Sequence, residues 1–75
     1  MTHIIDIETM YDTRHGGPFD RGSSDSYYGR RRNPHYYVGA TGQSKPIMAL
    51  TIDELDAYHA GYDFNELAGN KKDYD

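Results

Sequence analysis

The sequence predicts a small, mainly α-helical domain with two helices. The strongest signal is a capping box, in which Thr51 precedes a helical pattern and Glu54 lies three residues further on. A weaker signal comes earlier, where Asp20 is positioned to cap a short helix over residues 21–28. Only residues 3–7 have the β-branched composition of a strand. We therefore expect two helices and little β-structure.

Length and composition limit the class of protein. A chain of 75 residues forms at most one domain, and its 36% hydrophobic content includes eight tyrosines and two phenylalanines. Aromatic rings must therefore build much of the core. The absence of cysteine excludes disulfides and thiolate metal sites. No apolar run reaches membrane length and the N-terminus does not resemble a signal peptide, which favours a cytosolic protein without a membrane partner.

Within this single domain, the sequence predicts five consecutive parts. They are an arm with turns (1–19), an Arg/Tyr-rich first helix with a proline turn (20–37), a loop (38–50), a capped second helix (51–69) and a tail (70–75). Residues 3–7 either pair with residues 47–50 as short strands, which would make the fold α+β, or lie over the helices as an extended arm. The second helix itself is expected to cover residues 52–67.

A small-residue patch on the second helix indicates close packing. Gly61 lies mid-helix, where glycine costs ~1 kcal/mol relative to alanine, and Ala57 and Ala60 lie beside it. The economical explanation is close approach by the first helix around Gly22. The expected packing residues are Gly22, Ala57, Gly61, Tyr58 and Tyr62, and Ile52 and Leu55 share the apolar helical spacing.

The segment 20–37 concentrates the residues most typical of binding. It holds four of the five arginines and four of the eight tyrosines. Arginine and tyrosine together bind the phosphates and bases of single-stranded nucleic acid, or form the centre of a protein interface; an arginine run is also often just solvated. The candidate contact residues are Arg21, Tyr27, Tyr28, Arg30, Arg31, Arg32, His35, Tyr36 and Tyr37.

The second helix offers an acidic alternative. Residues 51–75 carry seven acidic and two basic side chains, in a chain whose net charge is −4. Such a helix can imitate nucleic acid toward a basic protein surface, or it can be an ordinary exposed face. The acidic candidates are Asp53, Glu54, Asp56, Asp63 and Glu66.

Enzyme chemistry is not expected. The four histidines show no metal-ligand spacing, and no phosphate-binding glycine loop is present. A cap and a solvated helix face explain Asp20 and Asp25. A domain this small also has little volume for a water-excluding pocket. We therefore predict a binding protein without metal or cofactor.

Two motifs carry a resemblance to a known family. Arg21-Gly22, followed seven residues later by Gly29-Arg30 and then by a proline and aromatics, resembles the first half of bacterial ribosome modulation factor. The segment Tyr58-His59-Ala60-Gly61-Tyr62 is similar to the aromatic-x-x-Gly-aromatic motif of that family's second helix. The resemblance covers about residues 20–67, and it implies two helices and contact with the ribosome.

A second, more specific resemblance spans residues 17–74. The string Gly-Pro-Phe-Asp-Arg-Gly-Ser-Ser-Asp-Ser-Tyr-Tyr-Gly-Arg, a later Ala-Tyr-His-Ala-Gly-Tyr and a terminal Lys-Asp-Tyr are similar to small proteins of tailed bacteriophages. This resemblance implies a phage accessory protein acting in the host cytoplasm. Ribosome or RNA is then the leading partner, with altered host translation as the outcome. A host protein or defence complex is the alternative partner, and a homo-oligomer is a third option.

Overall fold

The computed structural model describes residues 11–39, 45–69 and 71–72. Two helices form the regular structure of these residues: α1 is Pro18–Tyr27 and α2 is Ile52–Ala68. The helices pack directly against each other, which confirms the prediction of a small, mainly α domain. Neither helix in these ranges has the length and apolar content needed to cross a bilayer.

Helix α1 begins earlier than the sequence indicated. Gly17 is the N-cap residue and Pro18 takes the first helical position, where its missing amide hydrogen costs the helix nothing. The prediction that Asp20 caps the helix is wrong, because Asp20 lies within the first turn. Its carboxylate accepts the backbone N–H of Gly16 at 2.9 Å. The helix stops just before Gly29, which has a φ of 70°, and this end agrees with the prediction.

Helix α2 has the boundaries that its sequence predicted to within one residue. The Thr51 hydroxyl accepts the Glu54 amide at 3.1 Å, and the Glu54 carboxylate accepts the Thr51 amide at 2.8 Å. These reciprocal bonds complete the capping box, and the Thr51 amide holds the pKa of Glu54 below its ordinary value. At the other end, Gly69 adopts a left-handed conformation with a φ of 69°, which glycine tolerates without a Cβ clash.

Replacing the cap residue should destabilise the domain measurably. Thr51→Ala removes the acceptor for the Glu54 amide and should lower the free energy of unfolding by ~1 kcal/mol. In a domain of this size, that loss corresponds to a melting temperature about 4–8 °C lower, measured by circular dichroism. Thr51→Ser keeps the hydroxyl and serves as the control. An equal loss in both variants would contradict the role of the cap.

The two helices cross at a pair of glycines. A Cβ atom on Gly22 would overlap the backbone carbonyl oxygen of Tyr58, and one on Gly61 would overlap that of Phe19. Each glycine therefore lets the backbone of the opposite helix approach without a side chain between them. The predicted contact between the second helix and the region of Gly22 is confirmed, with Ala57 buried beside it.

The apolar core is small and is built around Tyr58. Phe19, Ala57 and Tyr58 are its buried hydrophobic residues among those described, and Tyr58 is fully buried. Ile52 and Leu55 share the apolar helical spacing but lie outside this core, since Ile52 is 86% exposed and Leu55 is 40% exposed. The buried residues of α2 are instead Ala57, Tyr58, Gly61 and Asn65. The apolar spacing alone therefore does not identify which residues of the first turn are buried.

Four polar side chains complete the interior: Asp25, Ser26, His35 and Asn65 are all buried. The sequence interpretation of Asp25 as part of a solvated helix face is therefore wrong, since only 3% of this residue is exposed. Burial of a carboxylate is costly unless it is paired and hydrogen-bonded, which gives the partners of Asp25 a structural role.

The segment after α1 returns to the start of α2 through one isolated β-bridge. Tyr36 and Ile47 exchange antiparallel backbone hydrogen bonds at 3.2 and 2.8 Å. The predicted strand partner of residues 47–50, residues 3–7, lies outside the described residues, as do positions 40–44 of the predicted loop and most of the predicted tail.

Candidate nucleic-acid interface

A buried polar cluster fixes the arginine-rich segment against both helices. The Tyr58 hydroxyl donates to the Asp25 carboxylate and accepts the Asn33 backbone N–H at 2.9 Å. Arg30 lies 3.5 Å and His35 lies 3.9 Å from the same carboxylate. The pKa of Tyr58 is raised mainly because the side chain is buried, so the hydroxyl stays protonated and can donate. The Asp25 carboxylate and the Tyr58 phenol therefore help to fix the position of residues 30–35.

Two rings and the Arg30 guanidinium meet at the C-terminal end of α1. The rings of Tyr27 and Tyr28 contact each other edge to face, with centroids 5.0 Å apart. The Arg30 guanidinium lies over the Tyr28 ring at 4.8 Å. The next residue, Arg31, is exposed. Proteins that bind single-stranded nucleic acid combine aromatic rings, on which bases stack, with cationic side chains that contact the phosphates.

The chain beyond α2 adds two lysines to this end of α1. The Lys72 backbone N–H donates to the Tyr27 carbonyl oxygen at 2.6 Å. The Lys71 ammonium donates to the Ser26 carbonyl oxygen at 3.0 Å and pairs with Glu66. A cation at a helix C-terminus stabilises the helix dipole. We name the combined surface of Tyr27, Tyr28, Arg30, Arg31 and Lys72 the α1-end patch.

The Arg32 side chain lies apart from this patch and packs against α2. Its guanidinium stands 4.2 Å over the Tyr62 ring, pairs with the Asp63 carboxylate and donates to the His59 Nδ1 at 3.0 Å. The hydrogen bond with Asp63 raises the pKa of Arg32 above its ordinary value. The hydroxyl of Tyr62 in turn donates to the Arg30 carbonyl oxygen at 2.5 Å. Arg32 and Tyr62 thus attach the arginine segment to α2.

Arg21, His35 and Tyr37 form a third group, in which the Tyr37 ring lies beside both other side chains. The Arg21 guanidinium lies 5.6 Å over the Tyr37 ring and 3.8 Å from Asp20, and its side chain is only 13% exposed. His35 is buried with Nδ1 2.6 Å from the Asn33 carbonyl oxygen. Arg21 and His35 therefore serve the fold rather than an outer surface.

Tyr36 belongs to yet another environment. It is half-buried, has the Arg14 guanidinium 6.0 Å from its ring, and lies close to the Glu54 carboxylate. Burial and the Glu54 carboxylate both raise the pKa of Tyr36. The nine predicted contact residues are therefore distributed over several surfaces, and three of them, Arg30, Arg31 and Tyr28, are exposed at the α1-end patch.

The predicted acidic residues also separate into groups. Asp63 pairs with Arg32, and Glu66 pairs with Lys71 while accepting the Ser26 hydroxyl at 2.5 Å. The Lys71 hydrogen bond is the main cause that lowers the pKa of Glu66. These two carboxylates are engaged in holding the fold together.

The other three acidic candidates line a groove. An open depression of about 420 Å³ lies between residues 11–14 and the first half of α2. Its acidic lining is Asp12, Asp53, Glu54 and Asp56, with Arg14 as the basic residue among them. The Asp56 carboxylate raises the pKa of Tyr11 at the rim. Such a groove suits a cationic side chain.

In the described ranges, no three His, Cys, Asp or Glu side chains lie close enough together to hold a metal ion. The Ser26 hydroxyl is within hydrogen-bonding distance of Glu66 and lies 3.3 Å from the Lys71 ammonium. However, Ser26 is fully buried, so a substrate has no access to that hydroxyl.

Sequence reasoning assigned no contact to Lys71 or Lys72 at the end of α1, and none to His59 beside Arg32. Gly69 gave the available signal, because a left-handed residue reverses the chain after a helix. The direction that the chain takes after such a turn depends on long-range packing.

Comparison of the chain with protein-family models, with curated proteins and with solved structures finds no match.

Proposed function

We propose that this protein is a non-enzymatic binding protein whose α1-end patch contacts single-stranded RNA. The observation that supports the proposal is the Arg30 guanidinium over the Tyr28 ring at the end of α1, beside Tyr27. The exposed Arg31 follows Arg30 in the chain, and the exposed Lys72 is bound to Tyr27 through its backbone amide. The cations supply phosphate contacts, and the exposed part of the Tyr28 ring supplies a surface for a base. The resemblance to ribosome modulation factor favours ribosomal RNA as the target and altered translation in the host cytoplasm as the outcome.

The overall acidity of the chain limits how it can bind RNA. A net charge of −4 opposes long-range attraction to RNA, so binding depends on local contacts. Arg32 is paired with Asp63, while Arg21 is largely buried beside Asp20. Arg31 and Lys72 are the exposed cations of the patch for which the structure gives no ion pair among the described side chains.

The test is a titration of the folded protein against a short single-stranded RNA and against ribosomes at two salt concentrations. Arg31→Ala should weaken binding to all sequences and make the salt slope shallower by ~0.7, the value for one phosphate contact on a single strand. Tyr28→Ala should weaken binding by ~1–3 kcal/mol with little change in slope, because stacking releases few counterions. Fluorescence anisotropy gives both quantities.

The matched control is Lys45→Ala, which removes an exposed cation near the Tyr36–Ile47 bridge instead of the α1-end patch. It should leave affinity and slope close to those of the wild type. Wild-type protein that binds neither RNA nor ribosomes at low salt would overturn the proposal. Equal effects of Lys45→Ala and Arg31→Ala would show that binding depends on total charge and not on the patch.

The acidic groove supports a second candidate function, in which the protein inhibits a host protein or defence complex by protein–protein contact. Three carboxylates of α2, those of Asp53, Glu54 and Asp56, line this groove. A basic side chain of a partner would enter it. Pull-down with and without nuclease separates the two candidates, since ribosomal components are lost with nuclease whereas a directly bound protein is retained.

A further inference from the structure

The outward side of α2 carries apolar residues at both ends. Ile52 in the first turn is 86% exposed, and Leu67 in the last turn is 89% exposed. Between them, Asp56 and Asp63 are also exposed. We name Ile52, Asp56, His59, Ala60, Asp63 and Leu67 the outer face of α2. No described residue buries its two aliphatic ends.

The outer face has a symmetric order of residues. Its midpoint lies between His59 and Ala60, and Ile52 and Leu67 are equally far from it along the helix. The same holds for Asp56 and Asp63. If an identical helix lies antiparallel on this face, Ile52 of each copy meets Leu67 of the other. A two-fold interface requires this kind of self-complementary surface.

The charges of the outer face fit the same arrangement. Antiparallel pairing brings Asp56 of one copy opposite Asp63 of the other, and Asp63 already pairs with Arg32. A guanidinium has five N–H donors in a planar fork, so Arg32 can receive a second carboxylate. Asp56 lies close enough to Tyr11 of its own chain to raise the pKa of that phenol, and its carboxylate has acceptor positions for Arg32 of the second copy.

From this register we propose that a second copy of the chain packs antiparallel on the outer face of α2. Each half of the interface then contains one Ile52–Leu67 contact and one Asp56–Arg32–Asp63 cluster. Helix α2 has 17 residues and is about 26 Å long. A contact of one helix pair lies at the small end of specific interfaces, below ~1,200 Å² in total. The dimer should therefore be weak, with a Kd in the micromolar range, and independent of RNA.

Sedimentation of the full chain over a range up to about 200 μM should show a monomer–dimer equilibrium, since micromolar Kd values fall within it. Ile52→Glu and Leu67→Lys should each abolish the dimer. Both changes suit the helix dipole, with an acid near the N-terminus and a base near the C-terminus. Circular dichroism of each variant must match the wild type.

Mixing the two variants tests the antiparallel register. In a mixed dimer, Glu at position 52 of one copy faces Lys at position 67 of the other, and the opposite end keeps its original Ile52–Leu67 contact. The mixture should therefore recover the dimer that neither variant forms alone. A parallel pair would not recover it. A wild-type protein that is monomeric throughout, folded variants that dimerise undiminished, or a mixture that does not associate would each overturn the proposal.

Discussion

Replacing Gly61 by leucine is expected to unfold the domain or to leave it barely stable. The Cβ atom alone would overlap the Phe19 carbonyl oxygen, which belongs to the backbone of α1 and cannot move like a side chain. Overpacking usually costs ~1–3 kcal/mol even where side chains can adjust. Small domains have ~5 kcal/mol to lose, and here the displaced element is half of the fold. Gly22→Leu should act likewise, through the Tyr58 carbonyl oxygen.

The measurement is thermal and urea unfolding followed by circular dichroism. Leucine has a better helix propensity than glycine by ~1 kcal/mol, so an exposed mid-helix glycine would give a gain in stability. Gly39→Ala is the control, because nothing lies within 4 Å of a Cβ atom at Gly39. It should be close to neutral. A Gly61→Leu variant that melts at or above the wild-type temperature would contradict the close helix crossing.

The features that sequence predicted correctly are those with local causes. The capping box joins Thr51 to a residue three positions away, and Gly61 is conspicuous because it lies inside a well-specified helix. Misassigned features have long-range causes. Asp25 is buried because Tyr58, 33 positions later, donates to it, and no local pattern records that pairing.

The candidate site illustrates the same limit. The Arg/Tyr composition of residues 20–37 indicated binding, but composition does not tell which side chains share a surface. Arg32 turns to α2, 31 positions away at Asp63, whereas Arg31 stays exposed. Lys72 lies 45 positions after Tyr27 in the sequence, and one backbone hydrogen bond to Tyr27 places it at the patch. Consecutive arginines therefore have different roles that only the packing of the helices separates.

The second large effect is expected at the contact between Asp25 and Tyr58. Asp25→Ala removes a buried carboxylate that pairs with Arg30 and accepts the Tyr58 hydroxyl. The change leaves the buried Tyr58 hydroxyl without its acceptor, at a cost of ~1–3 kcal/mol, and it also removes the pairing with Arg30, whose side chain is 56% exposed. Tyr58→Phe keeps the ring but leaves the Asp25 carboxylate and the Asn33 amide without this hydroxyl, at a cost of ~1–3 kcal/mol.

A double-mutant cycle separates this interaction from the loss of packing. Urea unfolding in sucrose, which favours the compact state, keeps the weakest variant measurable. Because each single change already breaks the same hydrogen bond, the double variant should lose less than the sum of the two, with a coupling of ~1–2 kcal/mol. Asp53→Ala is the control, since Asp53 is exposed on the same helix as Tyr58 and its change should add independently to that of Tyr58→Phe. If the Asp25 and Tyr58 changes add within ~0.5 kcal/mol, the hydrogen bond does not stabilise the fold. The arginine segment would then be held by its other contacts, among them those of Arg32 and Tyr62 and the bond from the Arg30 amide to the Asp25 carbonyl oxygen.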